Sequence, residues 1–334
     1  MQVLVTGGSG FIGSELICQL AQQNVTNYNV RALLRQTSSM KNLQNLNFQP
    51  VQGSLQDLKS LKKAVQGVDV VFHLAGVIAA RSKKEYFDHN AEGTKNLLQA
   101  CMESAPQLKR FVYVSSLAAS GPANTLTPRI EDALETPVSS YGESKLEGER
   151  ILKRQANFPV TIVRPPIVYG PKDKGVFEFV KIINNHIFPI LKGKNETKEK
   201  YYSVVYVDDL VQGILHAGFS EKQGKLETFF LADDSIYSWS QIMSNIETIL
   251  RKKTIKVPLP FFVAQSIAAI GSLVTKFSRK LVPLNLDKIK ELKPDFWICS
   301  NLKAKKVLGF DPQFNLSQGM EKTIAWYKEN QWIV

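Results

Sequence analysis

Gln2-Val-Leu-Val-Thr-Gly-Gly-Ser-Gly-Phe-Ile-Gly-Ser14 is the stretch on which the fold turns. Its apolar opening reads as a buried strand, and the amphipathic run Phe11–Gln23 reads as the helix that follows. Between them Gly7, Gly10 and Gly13 fit G-x-x-G-x-x-G, while Gly8, Gly10 and Gly13 fit G-x-G-x-x-G. Either spacing serves the same physics. Glycine permits the tight turn and a close backbone approach to a pyrophosphate held at the positive end of a helix. A glycine motif alone is weak, but here a strand precedes it and a helix follows it. The expectation is a dinucleotide site using Gly7, Gly10 and Gly13 with Phe11 and Ile12 at the helix start.

Outward from that turn, strand-like runs alternate with helical patterns. Val3–Val5, Asn29–Leu34, Val68–Leu74, Phe111–Val114 and Val160–Arg164 read as strands. Phe11–Gln23, Asp57–Val65, Glu85–Ser104 and Tyr141–Gln155 read as helices. Such alternation implies an α/β fold: a Rossmann-type, doubly wound parallel sheet covered on both faces. The dinucleotide-binding domain is placed at 1–170, with 203–220 packing back on it as a strand (Ser203–Val207) and a helix (Leu210–Gly218). A smaller, mostly helical C-terminal substrate lobe is expected from 171–202 and 221–334, with Lys172–Lys200 as a lysine-rich loop.

The 334 residues are 44% hydrophobic and 22% charged, which excludes a disordered chain, a collagen-like repeat and a coiled-coil rod. Cys18, Cys101 and Cys299 are too few and too scattered for a disulfide framework, so a reducing, cytoplasmic setting is expected. No signal peptide is read ahead of the first strand. The 42 lysines and arginines outnumber 30 acids, for a net charge of +12. Arg251 to Lys306 carries thirteen bases against three acids and encloses the uncharged run Val257–Thr275. Prolines and Gly271 interrupt that run too often for a membrane span. It reads as a core helix pair beside a solvated basic face, or as a surface making peripheral contact with an anionic membrane. Aromatic residues do not alternate regularly with the bases, so nucleic acid is not an expected partner.

The second strand bears on which dinucleotide binds. An NAD site usually carries an acid about 20 residues past the glycines, but no Asp or Glu occurs between Glu15 and Asp57. Arg35 ends that strand and Lys41 follows, and either suits a 2′-phosphate where an acid would repel it. NADP is expected, with NAD possible if both side chains merely face solvent.

Tyr141-Gly-Glu-Ser-Lys145 places a tyrosine and a lysine one helical turn apart. The pair follows the strand Phe111–Val114 and its Ser115-Ser116 end. Tyrosine, with a reference pKa near 10, is a poor base alone. An adjacent ammonium would favour the phenolate, letting Tyr141 exchange a proton with a substrate oxygen that Ser116 orients.

In this order, Thr6-Gly-Gly-Ser-Gly-Phe-Ile-Gly13, Ser116 and Tyr141-x-x-x-Lys145 resemble the extended short-chain dehydrogenase/reductase family, also called NAD-dependent epimerase/dehydratases. His73-Leu-Ala-Gly76, Asn90-Ala-Glu-Gly-Thr94, Arg164-Pro-Pro-Ile-Val-Tyr-Gly-Pro171 and Val205-Tyr-Val-Asp-Asp-Leu210 extend the likeness along nearly the whole chain. The resemblance implies an NAD(P)-dependent oxidoreductase with Ser116, Tyr141 and Lys145 as catalytic triad, Tyr141 and Lys145 also meeting the cofactor. It places Leu74, Ala75 and Gly76 near the nicotinamide ribose and Pro165 to Val168 near the nicotinamide. Ser54 and Leu55 stand where relatives carry an Asp-Leu pair beside the adenine. A homodimer through the helices around Glu85–Ser104 and Tyr141–Gln155 is expected by the same analogy.

The substrate branch is read from departures. Sugar-nucleotide epimerases of this kind usually carry a phosphate-holding asparagine where this chain has Ile167, and an arginine where it has Tyr202, with Lys200 close by. Phe111–Asn124, Phe229-Phe-Leu-Ala-Asp-Asp234 and the apolar stretch from Leu259 look instead like the 3β-hydroxysteroid dehydrogenase and dihydroflavonol reductase branch. The expected chemistry is hydride transfer to or from a secondary alcohol or ketone of a small, apolar substrate. The alternatives are a nucleotide-sugar epimerase or dehydratase and a non-catalytic NADP sensor. Arg81, Tyr169, Phe177 and Tyr206 are the substrate-pocket candidates, against plain surface or core roles. His73 reads as a packing residue. His89, His186 and His216 do not cluster with acids at ligand spacing, so no metal is expected.

Overall fold

The computed structural model describes residues 1–22, 28–195, 198–258 and 286–333. The strands in chain order are β1 (Gln2–Thr6), β2 (Asn29–Leu34), β3 (Gln49–Gln52), β4 (Val70–His73), β5 (Arg110–Val114) and β6 (Val160–Arg164). There follow β7 (Ile167–Tyr169), β8 (Ile187–Ile190), β9 (Tyr201–Tyr206), β10 (Leu226–Phe230), β11 (Ile236–Ser238), β12 (Ile255–Pro258) and β13 (Phe296–Trp297). Seven of them form one parallel sheet in the order β10-β6-β5-β4-β1-β2-β3. The fold is the doubly wound α/β arrangement expected, with the direction of strand order reversing at β1. Crevices for ligands open at such a reversal, beyond the carboxyl ends of the strands.

Why the sheet is covered on both faces is visible in its alternation. Val3 and Val5 of β1 belong to one buried cluster and Leu4 to the other. Phe72 and Val71 divide likewise in β4, as do Val112 and Phe111 in β5. The Leu4 side is closed by Leu61 and Val65, Leu97 and Cys101, and Ile151 and Leu152, from the helices Leu58–Val65, Gly93–Ser104 and Ser140–Gln155. The Val3 side runs without a break into the C-terminal part of the chain, through Val207, Leu210 and Ile214 to Trp239, Met243, Met320 and Tyr327.

Two features differ from the sequence expectation. Leu226–Phe230, assigned to the second lobe, is the seventh strand of the main sheet, paired with β6. Lys172–Lys200 is not a loop. Its first half is the helix Gly175–Asn184, which buries Val176, Val180 and Ile183, and β8 follows. Those three apolar residues recur at helical spacing, and the lysines lie on the outside of the pattern. The remaining strands build a small sheet in which β9 pairs with β7, β11 and β13, while β12 pairs with β8. The second lobe therefore carries sheet as well as helix. The apolar run Val257–Thr275, and with it the membrane-facing expectation, lies outside the described residues from 259 onward. Among the described residues no helix is long and apolar enough to cross a membrane.

Candidate active site

A groove of about 240 Å³ opens over the strand reversal. Gly7 and Gly10 from the turn after β1, Leu33 and Arg35 at the end of β2, Gly53, Ser54 and Leu55 after β3, and Leu74, Ala75 and Gly76 after β4 all line it. The turn requires its glycines for distinct reasons. Gly7 holds φ +74°, and a Cβ there would meet the Ala75 amide nitrogen at 2.7 Å. At Gly13 a Cβ would strike the Gly7 carbonyl oxygen at 2.2 Å, so the helix could not approach the strand. Gly10 contributes nothing but backbone to the groove wall. The helix that starts at Phe11 carries no acid in its first turn, so its positive end faces the groove uncontested. This cradle fits the pyrophosphate of a nicotinamide dinucleotide.

Beside the groove, the helix Ser140–Gln155 presents Tyr141 and Lys145. Ser116, just past the carboxyl end of β5, lies beside the Tyr141 phenol and favours its ionised form, while its own Oγ accepts the Ala118 amide at 3.1 Å. The side chain is half-buried; burial and the nearby Glu291 carboxylate push the phenol up to about 12, against the opposing pull of Ser116. Lys145 Nζ donates to the Val114 carbonyl at 2.7 Å and lies 4.5 Å from the centre of the Tyr113 ring. Burial brings this ammonium down to about 8, with Glu149 holding it up. The expected lowering of the tyrosine's pKa by Lys145 is not met in this arrangement, because the ammonium is turned to the strand-end carbonyl and burial dominates.

Two buried networks hold the site. Asn90 accepts from the Val77 amide at 2.8 Å and donates to Val77 O at 3.0 Å and to Ser144 Oγ at 2.9 Å. It thereby ties the loop after β4 to the Tyr141 helix. A Cβ at Gly76 would meet Asn90 Oδ1 at 2.7 Å and Lys145 Nζ at 3.7 Å, so that loop passes directly over the lysine. Behind the serines, Glu149 accepts from Ser115 Oγ at 2.6 Å and from two nitrogens of Arg164, at 2.9 and 2.5 Å. Glu149 and Arg164 are fully buried, a bidentate pair that fixes the helix against the end of β6. His73 is equally enclosed. It bonds Thr6 Oγ1 at 2.7 Å and Thr94 Oγ1 at 3.0 Å, and burial lowers it to about 3, so it is a neutral packing residue.

The structure sorts the remaining expected residues. Lys41 begins a short 3₁₀ turn, exposed and outside the groove lining, whereas its neighbour Asn42 reaches the glycine turn through Ser9 O at 3.4 Å. Phe11 and Ile12 pack against the core. Pro165 is buried with its carbonyl on the Leu117 amide, and Val168 sits in β7. Three substrate candidates are corrected. Tyr169 is buried in the core with its hydroxyl on Asn315 O at 3.3 Å, and Tyr206 packs edge-on to Tyr169 and tilted against Phe314. Phe177 packs with Tyr327 and Trp332 in a C-terminal aromatic cluster. Aromatic residues at a lobe boundary served closure of the core. Arg81 is exposed, its amide on Glu85 Oε2 at 2.7 Å. Sequence reasoning missed Ser9, Ser38, Gln56, Val77 and His89, which also line the groove. For all but His89, which lies in the helical turn Asp88–Glu92, a position three or four residues past a strand end was the available signal.

A model of the NAD dependent epimerase/dehydratase family matches residues 3–230. The chain belongs to that family, and is an enzyme of its oxidoreductase type. A ceramide reductase of Caulobacter vibrioides is 27% identical over 337 residues, spanning 99% of this chain and 96% of its own. A decarboxylating sterol-4-alpha-carboxylate 3-dehydrogenase of Dictyostelium discoideum is 27% identical, spanning 96% of this chain and 99% of its own. Among solved structures, a UDP-glucuronic acid 4-epimerase from Bacillus cereus in complex with UDP-glucuronic acid and NAD is 26% identical. It superposes with a TM-score of 0.77 over 99% of this chain and 100% of that one.

Proposed function

We propose that the chain is a nicotinamide-dependent dehydrogenase/reductase that interconverts a ketone and a secondary alcohol on a small apolar substrate of steroid-, flavonol- or lipid-like character. Ser116, Tyr141 and Lys145 are its catalytic residues. The observation that carries this reading is the convergence of Ser116, Tyr141 and Lys145 at the carboxyl end of β5, beside a groove shaped for a dinucleotide. The nicotinamide, when bound, supplies or accepts the hydride. A phenol raised to about 12 is protonated at neutral pH, so Tyr141 Oη can donate to a carbonyl oxygen. Ser116 holds that oxygen in line, and Lys145 places a positive charge beneath the loop over which the ribose would lie.

An apolar substrate is favoured over a sugar nucleotide by three side chains. Ile167, where a phosphate-holding asparagine would stand, is 38% exposed. Tyr202 is buried in the core. Lys200, the nearby cation, is consumed by Asp295 Oδ1 at 2.9 Å and the carbonyls of Lys293 and Pro294. The family's description and the NAD in the solved relative favour NAD(H) over the NADP expected from Arg35, whose side chain is exposed at the groove rim. The test is loss of NADH or NADPH absorbance with a long-chain 3-keto lipid, a 3-keto steroid and a dihydroflavonol, beside an epimerisation assay on UDP-glucose. Reduction of an apolar ketone is expected. Turnover of UDP-glucose alone would overturn the substrate reading.

For the basic lobe we also propose peripheral contact with an anionic bilayer. Ile255 and Val257 are 73% and 42% exposed on β12, interleaved with Lys256 and preceded by Lys252 and Lys253. Co-sedimentation with phosphatidylglycerol vesicles that weakens with salt is expected. Equal binding to phosphatidylcholine would count against it.

A further inference from the structure

The helix Leu286–Leu292 lies against the start of the Tyr141 helix, brought there from the far end of the chain. Asp287 accepts the amide of Ser140 at 2.8 Å through one carboxylate oxygen and the amide of Tyr141 at 3.1 Å through the other. Ser139 accepts the amide of Gly142 at 3.0 Å and donates its own hydroxyl to Glu291 at 2.6 Å. A helix ordinarily leaves its first four amides to be satisfied from nearby sequence. Here two of them are satisfied by a residue about 146 positions away, and one of those two belongs to the tyrosine itself. Lys288 completes the group: its Nζ stands 5.2 Å from the centre of the Tyr141 ring and 2.7 Å from Glu291 Oε2. The short helix is itself anchored, because the Trp297 indole donates to Glu291 O at 2.6 Å and β13 pairs with β9.

We infer that Asp287 is a positioning residue for Tyr141, and that Glu291 and Lys288 set the charge around its ring. The inference deepens the reading of Tyr141 as the proton-handling group and rests on it. Every neighbour of the ring acts in a known sense. Glu291 opposes ionisation of the phenol and Ser116 favours it. The Lys288 cation faces the ring, Lys145 on the same helix is turned to Val114 O, and the Tyr86 ring lies 6.2 Å away. A carboxylate on the tyrosine's own amide fixes the Cα from which the phenol is aimed. The small lobe thereby reaches the proton-transfer geometry through one short helix.

The test uses the full chain labelled with 3-fluorotyrosine, whose lower intrinsic pKa brings titration into an accessible range. The Tyr141 resonance is identified by its absence in Tyr141→Phe. Fluorine NMR titration of Glu291→Gln is expected to move that resonance's midpoint to lower pH, since an opposing negative charge is gone, and Lys288→Gln to move it higher. Asp287→Asn is expected to raise amide deuterium exchange in the peptide 139–144 while circular dichroism remains unchanged. If Asp287→Asn fails to fold, Asp287→Glu, which keeps the acceptor, is expected to retain protection. Unchanged titration in Glu291→Gln together with unchanged exchange in the Asp287 variants would overturn the inference. Full turnover in Tyr141→Phe would instead overturn the functional reading and leave these spectroscopic outcomes standing.

Discussion

The two walls of the cleft are supplied by the chain in opposite ways. On the cofactor side, Gly7 and Gly10, Arg35, Ser54 and Ala75 each stand within a few residues of the end of a parallel strand. The sheet brings those ends together whatever the rest of the chain does. On the proton side, Tyr141 is flanked by Ser116 from one strand end and by Asp287, Lys288 and Glu291 from a helix near the C-terminus. The first wall is encoded by local pattern and the second by tertiary packing. A common cradle can therefore be kept while the partner wall is altered.

The sharpest way to break this contrast is Tyr141→Phe. Removing the hydroxyl proposed to move the proton is expected to lower kcat by about 10²–10⁴-fold. Dissociation of the dinucleotide, followed by quenching of protein fluorescence, is expected to change by less than about twofold. A large loss of cofactor affinity would show that the walls are not separable. Next in size is Glu149→Gln, which leaves the buried Arg164 guanidinium facing a neutral amide with a single acceptor oxygen in place of the carboxylate. Urea unfolding is expected to show a loss of about 3–5 kcal/mol. A loss below about 1 kcal/mol, the ordinary worth of an exposed pair, would mean that the ion pair does not fix the helix to β6.

What was legible in the chain follows the same division. The turn Gly7–Gly13, five strands of the main sheet and the Tyr141–Lys145 spacing are local patterns, and the structure bears them in the expected places. β3 escaped notice because Gln49-Pro-Val-Gln52 carries one apolar aliphatic residue and lies at the sheet edge, where alternation is weakest. β10 was assigned to the wrong lobe because pairing with β6 joins residues more than sixty apart. Asp287 offered no signal at all. An acid followed by a lysine on a short helix reads as a solvated face, and its role exists only once the two helices meet. Tyr169, Phe177 and Tyr206 failed for the converse reason: an aromatic side chain at a lobe boundary is equally suited to a pocket and to a core, and only packing decides.

Smaller effects sharpen the comparison. Arg35→Ala removes the guanidinium at the groove rim beyond β2. NADPH affinity is expected to fall about tenfold, on the order of 1.4 kcal/mol, with NADH affinity unchanged. An equal loss for both would assign Arg35 to the shared part of the cofactor rather than to a 2′-phosphate.

The smallest expected change comes from applying to Tyr169 the same atom deletion that is applied to Tyr141. Burial raises the pKa of both phenols. Their surroundings differ: Tyr141 meets a serine beside the groove, while Tyr169 donates to the Asn315 carbonyl beneath Gly319, a contact so close that a Cβ on that glycine would lie 2.5 Å from the hydroxyl. Tyr169→Phe deletes one neutral hydrogen bond and leaves the Asn315 carbonyl short of a donor, for a loss of about 1 kcal/mol in urea unfolding. Kinetic constants are expected to stay at the wild-type values. A fall in kcat with unchanged stability would return Tyr169 to the substrate pocket, and the division between a locally encoded cradle and a packed core would have to be redrawn at β7.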